Sequence, residues 1–336
     1  MSVLSAVYGR LARMRRSWYE QRPHARRRLD RPVISVGNLV VGGSGKTPVV
    51  EAIARMLLDM GERPSILSRG YARRRTQDGV VVVSDPERVL EPVERSGDEP
   101  QMLARALPGT PVLVSSDRYL AGRLAEERFG CTVHILDDGF QHLQLARTLD
   151  VLLVSPADLD DRVLPSGRLR EGLDAARVAD ALMVSGTSDA AARVSKALGV
   201  NTAFTVETMF GSLRPLGEGE APAPPGARVI AVAGIAQPDR FFRAVRSQGW
   251  NVVAELPYAD HHWYTTRDLA EINNAAQAAH ARIVVTTEKD AVRIGEQAWW
   301  AALPLKASIE PAGEFRSWLR GHLPPSRLQR YGEAGR

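Results

Sequence analysis

Three clusters in this chain combine residue types and spacings that suit phosphate chemistry. The first is Gly42-Gly43-Ser44-Gly45-Lys46-Thr47. Small residues let backbone N–H groups approach phosphate oxygens, a lysine reaches the β- and γ-phosphates, and a threonine hydroxyl ligates Mg²⁺. The second is Asp137-Asp138, which follows the apolar run VHIL (133–136) and precedes Gly139, Phe140, Gln141 and His142. A strand ending in carboxylates is what a Walker B element requires, with one near Mg²⁺ and a second to orient the metal shell or an acceptor. The third is Gly97-Asp98-Glu99-Pro100 at a helix start. Carboxylates there are common caps, so a catalytic role needs support from elsewhere in the chain. Arg168, Arg170 and Glu171 lie in a long loop that is either solvated or folded over a phosphorylated substrate. Asp260-His261-His262-Trp263-Tyr264 is poor evidence for a metal site, because adjacent residues of a strand point apart, although one histidine could face a cleft.

These groups need strands that end where they stand. The run VISV (33–36) leads into the glycine loop, and a helix is expected from 48 to 60, closed by Gly61. A strict P-loop has glycine where this chain has Val40. Pro48 suits an early helical position because it has no N–H to satisfy. Further strands are expected at 64–67, 80–83, 111–114, 133–136, 149–154 and 181–185, with helices at 101–107 and 119–127. LGEGEAPAPPG (216–226) interrupts the pattern. Strands at 228–235, 250–254 and 282–286 then alternate with helices at 238–247 and 268–280. The expected fold is α/β: a P-loop NTPase-like parallel sheet domain over 1–217 and a smaller α/β domain over 226–325.

Composition narrows the class. The chain has 336 residues, 44% hydrophobic and 25% charged, as in a soluble globular protein. Its one cysteine, Cys131, excludes an internal disulfide framework and a cysteine zinc site. No signal peptide or spanning helix is expected. The net charge of +5 is concentrated at the start, where residues 1–31 hold nine arginines against Glu20 and Asp30. Leu4, Val7, Tyr8, Leu11, Met14 and Trp18 recur at helical spacing within 2–19. An apolar stripe beside arginines suits an anionic membrane surface; the other reading is a helix docked on its own domain. No base-reading module accompanies the basic segment, so no nucleic-acid partner is expected.

In order along the chain, SVGNLVVGGSGKTP, LSRGY, GDEP, ILDDGFQHLQLARTLD, LPSGRLRE, DHHWY and TTEKD resemble the tetraacyldisaccharide 4′-kinases, the lipid A 4′-kinases of Gram-negative bacteria. In that family Val40 is the usual departure from the strict P-loop. The resemblance implies ATP-dependent phosphorylation of the 4′-hydroxyl of a lipid A disaccharide 1-phosphate, giving the bis-phosphorylated precursor. It implies ATP and Mg²⁺ as cofactors, an active site between the two domains, and peripheral attachment to the anionic cytoplasmic face of the inner membrane. No obligate protein partner is expected. Catalytic roles fall to Asp98, as the residue that activates the sugar hydroxyl, to His261 as its partner, and to Lys46 and Asp138. Gly42, Gly43, Ser44, Gly45, Lys46 and Thr47 match the nucleotide loop. Thr47, Asp137, Asp138 and Glu171 match metal positions, and Arg118, Gln141, His142 and Arg170 match the anionic disaccharide. Arg168 stands where the family often has proline and Ser166 where it often has alanine. The rival readings are a kinase for a soluble acceptor and an ATP-driven membrane switch. Many switches carry a lysine at the position of Val41.

Overall fold

The computed structural model describes residues 2–43, 45–75, 77–218 and 223–324; Ser44, the centre of the expected 216–226 boundary and the tail lie outside these residues. In chain order the elements are α1 (Val3–Gln21), β1 (Val33–Asn38), α2 (Lys46–Asp59), β2 (Pro64–Ser68), β3 (Val81–Ser84), α3 (Val93–Ser96), α4 (Asp98–Ala106), β4 (Val112–Val114), α5 (Arg118–Phe129), β5 (Val133–Asp137), β6 (Leu149–Val154), β7 (Ala181–Ser185), α6 (Ser188–Leu198) and β8 (Ala203–Phe210). There follow β9 (Arg214–Pro215), β10 (Arg228–Ala233), α7 (Pro238–Ser247), β11 (Asn251–Pro257), α8 (Thr266–Ala278), β12 (Ile283–Thr287), α9 (Glu288–Ile294), β13 (Trp300–Leu303), β14 (Leu305–Glu310) and α10 (Ala312–His322).

Among the described residues the strands form two sheets. The larger has the order β14-β8-β7-β6-β1-β5-β2-β4-β3, parallel from β8 through β4, with antiparallel strands at both edges. β1 is central, paired with β5 on one side and β6 on the other. The chain leaves β1 toward β2 on one flank and later continues through β6 and β7 on the other. Loops therefore part at the carboxyl end of β1 and leave a crevice, as expected at a switch point of a parallel sheet. Every residue of β1 and β5 is buried, which is why both read as continuous apolar runs. One face of this sheet is covered by α2 and α4, where Ile53, Leu57 and Leu103 pack on Ile34, Ile66 and Ile135.

The smaller sheet has the order β11-β10-β12-β13-β9, parallel except for β9. Phe241 and Val245 of α7 cover one face, and Ile272 and Ala276 of α8 the other. The expected boundary of 226–325 needs correction at its end. After β13 the chain goes back to the larger sheet, where β14 pairs antiparallel with β8 and Phe315 and Leu319 of α10 join the larger core. The smaller unit is thus an insertion, entered after β8 and left at Pro304. The two crossings touch, since the N–H of Gly211 donates to the carbonyl of Pro304 at 2.9 Å.

Candidate active site

The nucleotide loop is built on the switch point. Gly45 caps α2 in a left-handed conformation (φ 76°), so Lys46 is the first residue of the helix rather than Pro48 as expected. Pro48 remains within the first turn, where its missing N–H costs nothing. Val40 has a structural use that a loop glycine would lack. It is buried and bridges Leu169, while the N–H of Val41 donates to the Arg168 carbonyl at 2.8 Å and the N–H of Arg170 to the Leu39 carbonyl at 2.6 Å. The long loop is thereby laced to the glycine loop, and Arg170 is carried into the site. Arg168 itself pairs with Asp161 at 2.7 Å, and Ser166 with Ser5 of α1 at 2.7 Å.

Lys46 donates to Asn38 Oδ1 at 3.1 Å and lies 3.4 Å from Asp138 Oδ1. Arg170 donates to Asp138 Oδ2 at 2.7 Å and to Gln141 Oε1 at 3.3 Å, and Gln141 donates to the Asn38 carbonyl at 3.0 Å. Burial alone would raise the Asp138 carboxyl, but Lys46 and Arg170 outweigh it and hold it below the usual carboxylate range. Asp137 differs. Burial, followed by the charges of Glu99 and Asp138, pushes its carboxyl up to about 7. It accepts from Ser68 Oγ at 3.2 Å, and its Oδ1 is buried with no hydrogen-bond partner. Thr47 and Asp138 line the same cleft. A buried carboxylate oxygen without a partner and a threonine lining the same cleft are hard-oxygen donors of the kind Mg²⁺ takes.

Arg118, first in α5, donates to the Ser116 carbonyl at 3.2 Å and to His142 Nδ1 at 3.3 Å. Burial, then Arg118 and Arg147, depresses the His142 imidazole to about 3, so it is neutral at physiological pH. Glu171 is the exception among the expected metal residues. Both of its oxygens are held by buried Arg16 of α1, at 2.6 and 2.8 Å, and the same guanidinium lies 4.4 Å from the Phe140 ring centre.

The opposite wall comes from the smaller sheet. His261, in a left-handed conformation (φ 61°), has Nδ1 2.8 Å from Asp98 Oδ2. Gly97, just before Asp98, packs against the Tyr71 loop: a Cβ there would lie 2.8 Å from the Tyr71 carbonyl. Asp98 is 1% exposed and is not a helix cap; its carboxylate is taken by His261 and by Arg293 of α9. His261 lines the cleft and Asp98 sits behind it. Lys289 donates to Asp260 Oδ1 at 2.8 Å and to His261 Nε2 at 3.2 Å. Nη2 of Arg293 lies 2.7 Å from Nδ1, so a basic side chain stands at each ring nitrogen of His261 and Asp98 Oδ2 shares the Nδ1 side. The cleft between these walls has a volume of about 1130 Å³ and is also bordered by Tyr8, Leu11, Ala12 and Arg15 of α1. The candidates within the described residues are therefore brought together; Glu171 borders the same cleft, with both of its oxygens engaged by Arg16. Sequence reasoning missed Asn38, Arg16, Lys289 and Arg293. For the last two a signal existed: they stand four apart in a helix that starts where β12 ends, one helical face at the carboxyl edge of a parallel sheet.

α1 docks by an unusual face. Ser5, Gly9, Arg13 and Arg16 meet the body through Ser166, Val163, Asp174 and Glu171. The apolar stripe points outward instead, with Val3 81% and Leu4 69% exposed. No helix among the described residues is long and apolar enough to cross a membrane.

Comparison with known proteins gives a single answer. The family model for tetraacyldisaccharide-1-P 4′-kinase matches residues 1–324. The tetraacyldisaccharide 4′-kinase of Pelobacter propionicus is 43% identical over 295 residues, which is 86% of this chain and 81% of that protein. That of Geobacter sulfurreducens is 39% identical over 303 residues, 88% of this chain and 83% of that protein. The crystal structure of LpxK from Aquifex aeolicus in complex with ATP is 32% identical, has a TM-score of 0.79, and covers 96% of this chain and 98% of that one.

Proposed function

Because this chain belongs to the tetraacyldisaccharide 4′-kinase family, we infer that its cleft joins ATP, on the larger sheet, to a lipid A disaccharide, facing the smaller. The chain is an ATP-dependent kinase that phosphorylates the 4′-hydroxyl of tetraacyldisaccharide 1-phosphate. In the reaction the 4′-oxygen bonds to the γ-phosphorus, the bond from that phosphorus to the β,γ-bridging oxygen breaks, ADP departs, and the hydroxyl proton goes to a base.

The observation that carries the assignment of roles is the two-walled cleft, with Lys46, Asp138 and Arg170 on one side and the Asp98–His261 pair on the other. Lys46 and the backbone of the glycine loop hold the ATP phosphates. Thr47 and Asp137 are the first candidates to hold Mg²⁺, with Asp138 beside them. When bound, the ion neutralises charge on the transferring phosphoryl group. His261 is the proton acceptor in this reading, because it faces the cleft with Nε2, while Asp98 at Nδ1 steadies the imidazole. Lys289 gives up Nε2 to the incoming hydroxyl and keeps Asp260. Arg118 and Arg170 supply rigid donor forks for the anionic disaccharide, with neutral His142 accepting from Arg118. The exposed stripe of α1, beside its arginines, supports peripheral attachment to an anionic inner-membrane surface in this reading.

The test uses purified protein, Mg²⁺, γ-labelled ATP and tetraacyldisaccharide 1-phosphate in mixed micelles. Label is expected at the 4′ position, and His261→Ala should lower kcat by about 10²–10⁴-fold, the usual contribution of a general base. ATP hydrolysis without label on the lipid would replace this reading with the membrane-switch alternative. Full transfer by His261→Ala would leave the kinase but remove His261 as its base.

A further inference from the structure

Arg293 occupies the least accessible part of the site and has no part in the roles above. It lies on α9, in the unit of the smaller sheet, yet its side chain is fully buried against Asp98 of α4 in the larger unit. Its Nε donates to Asp98 Oδ1 at 2.5 Å, and its Nη2 donates to Oδ2, so the carboxylate is gripped at both oxygens. Its Nη1 donates to the His262 carbonyl at 3.1 Å. Its guanidinium carbon lies 5.4 Å from the Trp263 ring centre, and Arg74 stands over the same ring at 4.9 Å. Its Nη2 also lies 2.7 Å from His261 Nδ1, so three successive residues of the smaller unit, His261, His262 and Trp263, meet one guanidinium that grips a single carboxylate of the larger unit.

We propose that Arg293 is a positioning residue for phosphoryl transfer, clamping Asp98 so that its carboxylate meets His261 Nδ1 only when the two units are together. The inference deepens the role given to the Asp98–His261 pair and rests on it. The physical argument is one of degrees of freedom and charge. An unclamped aspartate can rotate about χ1 and χ2 and present either oxygen, whereas a bidentate guanidinium fixes the carboxylate plane. It also leaves Asp98 compensated in a site sealed from water, where an unpaired carboxylate would be costly. Lysine is no substitute: its ammonium is a point charge that cannot reproduce the planar fork. Because Arg293 and Asp98 come from opposite units, the geometry of the base depends on closure of the cleft, and the chemistry is poised only in the closed arrangement.

The experiment compares Arg293→Lys, Asp98→Asn and the double variant in the full chain, using the labelled-ATP assay. Arg293→Lys is expected to lower kcat by about 10–100-fold while the KM for ATP changes by less than about threefold, because the loss lies in orienting the base and not in binding nucleotide. The double variant should be no slower than Asp98→Asn alone, because Arg293 acts through Asp98. Wild-type kcat in Arg293→Lys, or losses that multiply in the double variant, would overturn the proposal. Full transfer by Asp98→Asn would instead overturn the role of the Asp98–His261 pair, an outcome distinguishable because Arg293→Lys is read separately. Should Arg293→Lys prove unstable, Asp98→Asn/Arg293→Gln, which buries no unpaired charge, is compared with Asp98→Asn. Equal kcat supports the clamp and a further loss refutes it.

Discussion

At the scale of single residues, the two adjacent carboxylates at the end of β5 are made unlike by their neighbours. Asp138 is surrounded by Lys46 and Arg170 and is held ionised, whereas Asp137 is buried, faces Glu99 and Asp138, and titrates near about 7. A folded-state carboxyl raised above its ordinary value binds a proton that the unfolded chain has released. Its contribution to stability is present below about pH 4 and is lost as pH climbs through about 7. Chemical denaturation without metal should therefore show Asp137→Asn gaining stability relative to wild type between pH 5 and pH 8. Mg²⁺ with ATP should cancel that gain; a pH-independent difference would deny Asp137 its strained protonation. Lys46, Thr47 and the carboxylate pair were legible because each sits in a contiguous stretch whose strand and helix are also legible. Arg293 was not, because its partner lies 195 residues away and the contact depends on how the two units meet.

At the scale of elements, α1 and β1 show what local pattern reveals and what it conceals. The period of α1 was plain, but the same stripe is compatible with facing a core or facing outward. Contacts decide: the docked face is polar, centred on the buried Arg16–Glu171 pair. Removing one partner leaves the other charge buried and uncompensated, so Arg16→Ala should cost about 3–5 kcal/mol, read as a fall in denaturation midpoint. Arg16→Met/Glu171→Met should recover most of it, since replacing both partners with apolar groups is often near neutral. In β1, Gly37 lies where the turn after β5 crosses the strand, and a Cβ there would be 2.6 Å from Phe140 Cβ. Gly37→Ala should cost about 1–3 kcal/mol as overpacking and weaken ATP binding, because Asp137 and Asp138 hang from the displaced turn. Unchanged ATP affinity would mean that the turn relaxes without moving the carboxylates. The resemblance to lipid A kinases supplied a metal position for Glu171, but no pattern in the chain marked it as the partner of α1.

At the scale of the whole molecule, β14 and α10 returning to the larger sheet make the smaller unit an insertion held by two touching crossings, at 211–213 and Pro304. Sequence placed the entry near 216 but not the exit, because β13 and β14 are separated by only one proline and the turn back to the larger sheet carries no glycine-rich or charged break of its own. The cleft between the units opens beside α1, whose Tyr8 and Leu11 border it while Val3, Leu4 and Val7 stand further out and exposed. A lipid substrate keeps its acyl chains in a bilayer, so an enzyme that meets it there must set the cleft at headgroup level. Exposed side chains on a helix docked by its opposite face suit that task. Deleting 2–19 is a poor test, because it also strips Arg16 from Glu171 and destabilises the body. Leu4→Glu/Val7→Glu leaves the docked face intact. Burying a leucine or valine side chain contributes about 1.5–3 kcal/mol, so losing two insertions should cut binding to phosphatidylglycerol vesicles at least about tenfold. Transfer to bilayer-presented substrate should fall with it. ATP affinity and the melting temperature should hold, because neither side chain touches the nucleotide loop or the core. Equal loss of vesicle binding and ATP affinity would assign α1 a structural role alone, and retained vesicle binding would move the membrane contact elsewhere on the molecule.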